Sequence, residues 1–279
     1  MAKHKDIDKD ECLKELEKLV GLESVKQEVR NLVNYLKLEK MRAEALGKRF
    51  AGVRDHYLFL GNPGTGKTTV ARIMADIFLS LGITSKSGII EVDRSQLVAQ
   101  YVGQTAVQTN RLIDSAMGGL LFIDEAYTLN QGPQDNFGKE AIDTLLKRME
   151  DDRGKFVCIA AGYTREMSDF LASNSGLQSR FNKTITFEDY GPDALAEIFR
   201  RKAQKENFLL SPEADAAMQQ CFDTLYANRT RNFGNAREVN NIFQKVKENQ
   251  SQRIIAMMMG GTRPSPEQLL SLTPEDFEL

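Results

Sequence analysis

The feature that most constrains this chain is Gly61-Asn62-Pro63-Gly64-Thr65-Gly66-Lys67-Thr68, a glycine-spaced run that ends in Lys-Thr. Ahead of it, His56-Tyr57-Leu58-Phe59-Leu60 reads as a buried parallel strand. Behind it, Thr69-Val70-Ala71-Arg72-Ile73-Met74-Ala75 reads as a helix. Between a strand and a helix, such a run can wrap its backbone N–H groups around a triphosphate. The glycines permit the close approach, and the helix N-terminus adds partial positive charge. Lys67 would then reach the β- and γ-phosphates and the Thr68 hydroxyl would ligate Mg²⁺, with Asn62, Pro63, Gly64, Thr65, Gly66 and Thr69 completing the cradle.

A second run, Gly119-Leu120-Leu121-Phe122-Ile123-Asp124-Glu125, puts two carboxylates at the C-terminal end of an apolar strand, where open α/β sheets place their ligands. Asp124 is expected to hold Mg²⁺ through water, and Glu125 to act as general base on the attacking water. The chain then gives a helix over 137–152 and a strand, Phe156 to Ala161, that ends in Gly162-Tyr163-Thr164. Tyr163 or Thr164 would touch the γ-phosphate or that water. The alternation predicts an α/β fold with a right-handed, doubly wound parallel sheet.

Before the loop, Leu22, Val25, Val29, Leu32, Val33 and Leu36 keep helical period. The Val20-Gly21 backbone ahead of them either holds an adenine ring or is an ordinary helix lead-in. Tyr101-Val102-Gly103, after a short helix, would put an aromatic and a β-branched side chain on an exposed loop; the alternative is a Tyr101 packed in the core. After Tyr190-Gly191 the composition changes. Pro192, Pro212 and Asn235 each start a helix, which predicts a small all-helical second domain closed by Gly260-Gly261. Residues 1–18 read as an arm or short helix, 19–190 as the nucleotide-binding domain, 191–260 as a helical lid, and 261–279 as a terminal helix start or docking tail.

Charged residues make up 27% of the 279, and the net charge is −2, so the basic excess of a dedicated nucleic-acid binder is missing. Cys12, Cys158 and Cys221 are widely spaced and expected to be reduced. His4 and His56 are too few for a zinc constellation. The charged N-terminus lacks a signal core, and the longest apolar stretch is too short to cross a bilayer, so no membrane association and a cytoplasmic location are expected.

Six motifs in one order make the chain resemble the AAA+ ATPases, and within them the clade of red-type Rubisco activases and stage V sporulation protein K. They are GNPGTGKTT at 61–69, LVAQYVGQT at 97–105, GGLLFIDEAYTL at 118–129, AGYTREM at 161–167, NSGLQSRF at 174–181 and FGNAREV at 233–239. The resemblance implies a Walker-A pair at Lys67 and Thr68, a Walker-B pair at Asp124 and Glu125, an arginine finger at Arg180 and a sensor-2 arginine at Arg237. Tyr163 stands where most members carry a sensor-1 Asn, a departure that leaves Thr164 as its rival. Tyr101, Val102 and Gly103 match the loop that lines the central pore of the ring. The implied activity is ATP hydrolysis by a homo-oligomeric, hexameric ring that remodels a protein client through its pore. With little chain before residue 19, the client would meet the pore, the ring face or an adaptor. The rival reading is a nucleic-acid loader or motor; a non-hydrolysing nucleotide sensor is disfavoured by the intact Glu125.

Overall fold

The computed structural model describes residues 9–48, 50 and 54–278. His4 and the first eight residues of the expected arm lie outside these. The described residues fall into two compact units. One comprises the residues up to Gly61 together with Gly66–Phe187; the other comprises Asn62–Thr65 together with those from Glu188 onward.

In the first unit, α1 (Lys9–Glu17) and α2 (Glu23–Ala45) precede β1 (His56–Gly61) and α3 (Lys67–Ser80). There follow β2 (Ile89–Val92), α4 (Arg94–Leu97), α5 (Thr105–Ala116), β3 (Leu120–Ile123), a 3₁₀ turn at Ala126–Leu129 and α6 (Asn136–Asp151). The unit ends with β4 (Val157–Gly162), α7 (Thr164–Ala172), α8 (Ser175–Arg180) and β5 (Phe181–Phe187). Every strand pair is parallel, in the order β2-β3-β4-β1-β5. Helices cover both faces of such a sheet, so its strands are apolar at successive positions without alternation. Tyr57, Phe59, Leu120, Phe122, Ile159 and Ala161 enter one core with α1, α2 and α3. Leu58, Leu121, Ile123, Cys158 and Ala160 enter the other with α5, α6 and α7. Cys12 and Leu16 of α1 are buried in the first of these cores, so the described part of the arm is a packed helix.

His56 opens β1 in the interior, where its Nδ1 accepts a hydrogen bond of 3.0 Å from the Cys158 N–H. Burial is the main force holding its imidazole down, to about 4, with Arg180 and Arg153 adding to the effect and Asp55 opposing it. In the unfolded chain the ring protonates near its ordinary value of about 6.5, so as pH falls only the unfolded state gains the proton. The stability from a neutral His56 is therefore complete above that value and is lost progressively down to the folded one. Lowering the pH from about 7.5 to about 5 should remove about 2 kcal/mol through this group. In urea titrations at the two pH values, His56→Gln should lose less stability than wild type by about that amount.

The second unit holds α9 (Pro192–Lys205), β6 (Leu209–Leu210), α10 (Pro212–Ala227), α11 (Ala236–Met259), α12 (Pro266–Leu270), β7 (Ser271–Leu272) and a final 3₁₀ turn at Pro274–Phe277. Pro192 and Pro212 sit in the first turns of their helices, where a missing N–H has no consequence. The helices are joined by a two-residue parallel ladder, β6 with β7, which periodicity does not announce. In the segment 261–279, expected as a terminal helix start or a docking tail, a capped 3₁₀ turn does start at Pro274, and it closes this unit's core. The Phe277 ring lies 5.5 Å from Phe199, which also meets Phe222 and Phe243. Buried Asp276 takes both ends of the Arg253 guanidinium at 2.9 Å and caps the Thr273 N–H.

Candidate active site

Parallel strands present their C-terminal ends on one edge, and here the register aligns three of them. Leu58 pairs with Ala160, and Ala160 with Ile123. Asp124 and Glu125 follow Ile123 directly at the end of β3, on the edge where β1 and β4 also end, at Gly61 and Gly162. Gly61 follows Leu60 at once; a Cβ there would lie 2.3 Å from the Phe187 carbonyl oxygen, so only glycine fits against the end of β5. Gly66, at φ 94°, turns the chain into α3, whose first turn carries Lys67, Thr68 and Thr69. Lys67 is buried and its Nζ donates to the Gly61 carbonyl at 2.8 Å. In the first unit the edge thus collects an ammonium group, a helix N-terminus and two carboxylates, a set suited to a metal-bound phosphate chain.

Asp124 continues the ladder, its N–H donating to Val92 at 2.9 Å, while its Oδ1 accepts the Glu125 N–H at 3.0 Å. Glu125 is exposed and sits at φ 47°, a left-handed conformation that costs a non-glycine residue of order 1 kcal/mol and persists only where neighbours impose it. The neighbours are Thr128, whose N–H (2.8 Å) and hydroxyl (2.7 Å) both donate to the Glu125 carbonyl. The Thr128 carbonyl in turn accepts from Arg94 at 2.8 Å, and Arg94 grips Asp135 with two hydrogen bonds of 2.6 and 2.9 Å. The Arg94 guanidinium is the main reason that the Asp135 carboxyl is held down to about 2. Sequence reading missed Arg94, Thr128 and Asp135. An Asp three residues before Gly138 at a helix start was a visible capping signal; its arginine, 41 residues away, was not.

Tyr163 follows β4 and its ring lies 5.5 Å from that of Tyr127, in the 3₁₀ turn after Glu125. Burial chiefly, and then the Glu125 charge, push the Tyr127 hydroxyl upward. Thr164 opens α7 and is exposed. The structure thus brings Tyr163 beside the Glu125 turn through Tyr127, a residue sequence reading passed over. Arg180 ends α8 with its Nη2 2.5 Å from Glu150 and its Nη1 3.1 Å from the Ser179 hydroxyl.

Gly21 and Leu22 are consecutive left-handed residues, at φ 59° and 61°, so Val20-Gly21 makes a sharp entry into α2. Tyr101 and Val102 are 68% and 88% exposed, which excludes Tyr101 from the core, and Gly103 is exposed beside them. The base of their loop is fixed: the buried Thr105 hydroxyl accepts from the Ala99 N–H at 3.2 Å, and buried Thr109 donates to the Leu97 carbonyl at 3.0 Å. In the second unit, Thr65 donates to the Asn62 carbonyl at 2.8 Å, and Arg237 is exposed on the first turn of α11.

Residues 57–189 match the model of the ATPase family associated with various cellular activities, and 191–279 match the AAA lid domain. Stage V sporulation protein K of Bacillus subtilis is 39% identical over 283 residues, covering all of this chain and 86% of that protein. The ESX-3 secretion system protein EccA3 of Mycobacterium leprae is 37% identical over 279 residues; the match takes in 95% of this chain but only 43% of that longer protein. Among solved structures, the FIGL-1 AAA domain superposes with a TM-score of 0.63 over 94% of this chain and 80% of that one; at 17% identity it speaks for the fold alone. The chain belongs to the AAA ATPase family, a nucleotide-binding α/β domain followed by a helical lid, and its activity is the hydrolysis of ATP.

Proposed function

We propose that this ATPase works as a homo-oligomeric ring, most simply of six subunits, and uses ATP hydrolysis to remodel a protein client gripped at Tyr101-Val102-Gly103. The observation that carries the reading is the loop itself: an exposed aromatic and an exposed β-branched side chain on a base held by two buried threonines. Exposed apolar side chains on a rigid mount cost solubility and serve binding. A tyrosine ring grips by area and needs no particular sequence in the passing chain. Relatives named for sporulation and for a secretion system fit a motor whose targets are proteins.

In this reading Lys67 binds the β- and γ-phosphates, and the Glu125 carboxylate takes a proton from the water that attacks the γ-phosphorus. Thr68 and Asp124, the latter through water, would hold Mg²⁺, which offsets the charge on the phosphate oxygens when bound. Tyr163, with Thr164 as the alternative, senses the γ-phosphate or orients the water. Arg237 reads the nucleotide from the lid, Val20-Gly21 borders the adenine, and Arg180 serves a neighbouring subunit.

The test needs no knowledge of the natural client. Wild-type ATP turnover should rise when an unfolded polypeptide is added, and Tyr101→Ala should abolish that rise while keeping basal turnover. Because Tyr101 is mostly exposed, its truncation should leave the melting temperature within about 2 °C, whereas a core aromatic would cost about 3–5 kcal/mol. Tyr101→Phe should keep most of the stimulation. Stimulation by DNA and not by polypeptide would favour the loader reading instead.

A further inference from the structure

Asn235, the residue that opens α11, has no exposed surface and adopts φ 51° and ψ −122°, a backbone conformation that non-glycine residues rarely take. Strain of this kind survives when the surroundings fix it, and here the side chain is fixed on every polar atom. Its Oδ1 accepts from the Tyr190 N–H at 2.8 Å. The two hydrogens on its Nδ2 are shared among three acceptors, Asp189 Oδ1 at 2.7 Å, the Phe233 carbonyl at 3.0 Å and the Pro63 carbonyl at 3.3 Å. Asp189 also takes the Asn62 amide, at 3.0 and 3.1 Å on its two oxygens.

Around this pair, four successive carbonyls of the phosphate loop are engaged. Asn62 accepts from the Thr65 hydroxyl, Pro63 from Asn235, Gly64 from the Ala236 N–H at 3.2 Å, and Thr65 from the Tyr190 hydroxyl at 3.3 Å. The fit is close: a Cβ on Gly64 would lie 2.2 Å from the Gly234 oxygen. A trans peptide points its N–H opposite to its carbonyl, so engaging the Pro63, Gly64 and Thr65 carbonyls fixes where the Gly64, Thr65 and Gly66 N–H groups point. Those N–H groups are the ones a phosphate-binding loop offers to its ligand. We propose that Asn235, held by Asp189, is a positioning residue for ATP binding and turnover: it takes the Pro63 carbonyl itself and holds Tyr190 and Ala236, whose groups take the Thr65 and Gly64 carbonyls, and so presets the N–H side for phosphate. The strain at Asn235 is then the consequence of putting one amide within reach of Asp189, Tyr190 and the loop together.

The test uses Asn235→Gly, which takes the same φ and ψ without steric strain but loses the amide, alongside Asp189→Ala and Asp189→Asn. In nucleotide-free protein, the backbone order parameters of the Gly64, Thr65 and Gly66 amides should fall from the rigid range, about 0.85, to below about 0.6 in Asn235→Gly, with α9 to α11 still rigid. Affinity for a fluorescent ATP analogue should fall roughly 10- to 100-fold, the equivalent of one hydrogen bond to a charged group. Asp189→Ala should lose as much, and Asp189→Asn less, because it keeps an acceptor for Asn235. Should Asn235→Gly not fold, the same ordering of the two Asp189 variants carries the test. Wild-type order parameters at the three loop amides in a folded variant overturn the proposal, and so does a loss of order throughout the second unit that accounts for the lost affinity.

Discussion

Glu125→Gln should hold ATP about as tightly as wild type while turning it over about 10²- to 10⁴-fold more slowly, the range over which a positioned general base contributes. The amide keeps the size of the carboxylate and the hydrogen bonds of the backbone turn, in which the Glu125 carbonyl, not its side chain, is the bonded group. It cannot take a proton from water. Lys67→Ala should fail earlier. Its ammonium carries charge into the ground-state complex as well as the transition state, so affinity itself should fall, by about tenfold or more for each charge-assisted hydrogen bond removed. Fluorescent ATP-analogue binding measured beside phosphate release separates the two defects. Wild-type turnover in Glu125→Gln would remove the glutamate from its role as base.

The largest effect is expected at Arg180. An arginine finger contributes about 10³- to 10⁵-fold to phosphoryl transfer, so Arg180→Ala should be nearly inactive, although the contacts recorded for Arg180 are to Glu150 and Ser179 and not to Asp124 or Glu125 of its own chain. Its stability should hardly change. The pair that Arg180 makes with Glu150 is partly exposed, and such pairs contribute about 0–1 kcal/mol. Glu150 also keeps Arg153 at 3.0 Å as a second partner. A loss of turnover by orders of magnitude, with a melting temperature lowered by no more than a few degrees, would assign Arg180 to the chemistry and not to the fold.

The distribution of what could be read from the sequence follows from the range of the interactions. The loop at 61–68, the strand ending in Asp124-Glu125 and the order of strands and helices are local patterns of residue type and period, and the parallel sheet follows from their alternation. The proline-led helices of the lid were equally local. Arg94 on Asp135, Tyr127 beside Tyr163 and Asn235 on Asp189 were not legible, because each joins residues of ordinary type across 36 to 46 positions with no spacing rule to mark them. The packing of the segment after Gly261 was hidden for a related reason. Its Thr273-Pro274-Glu275-Asp276-Phe277 reads as a helix start, and only the Arg253 pair and the Phe199 ring show it to be part of the lid's core. Tyr101 lay between: its motif was clear, and exposure decided between loop and core.

A ring in which neighbours share each active site is tested most directly by mixing two inactive proteins. Glu125→Gln supplies a good Arg180 and a defective base; Arg180→Ala supplies a good base and a defective finger. In mixed rings some interfaces pair the intact Glu125 of one subunit with the intact Arg180 of the next, so phosphate release should recover to a measurable fraction of the wild-type rate. With subunit exchange verified by fluorescence transfer, a mixture no more active than its two components would contradict shared sites and return Arg180 to a role within its own subunit.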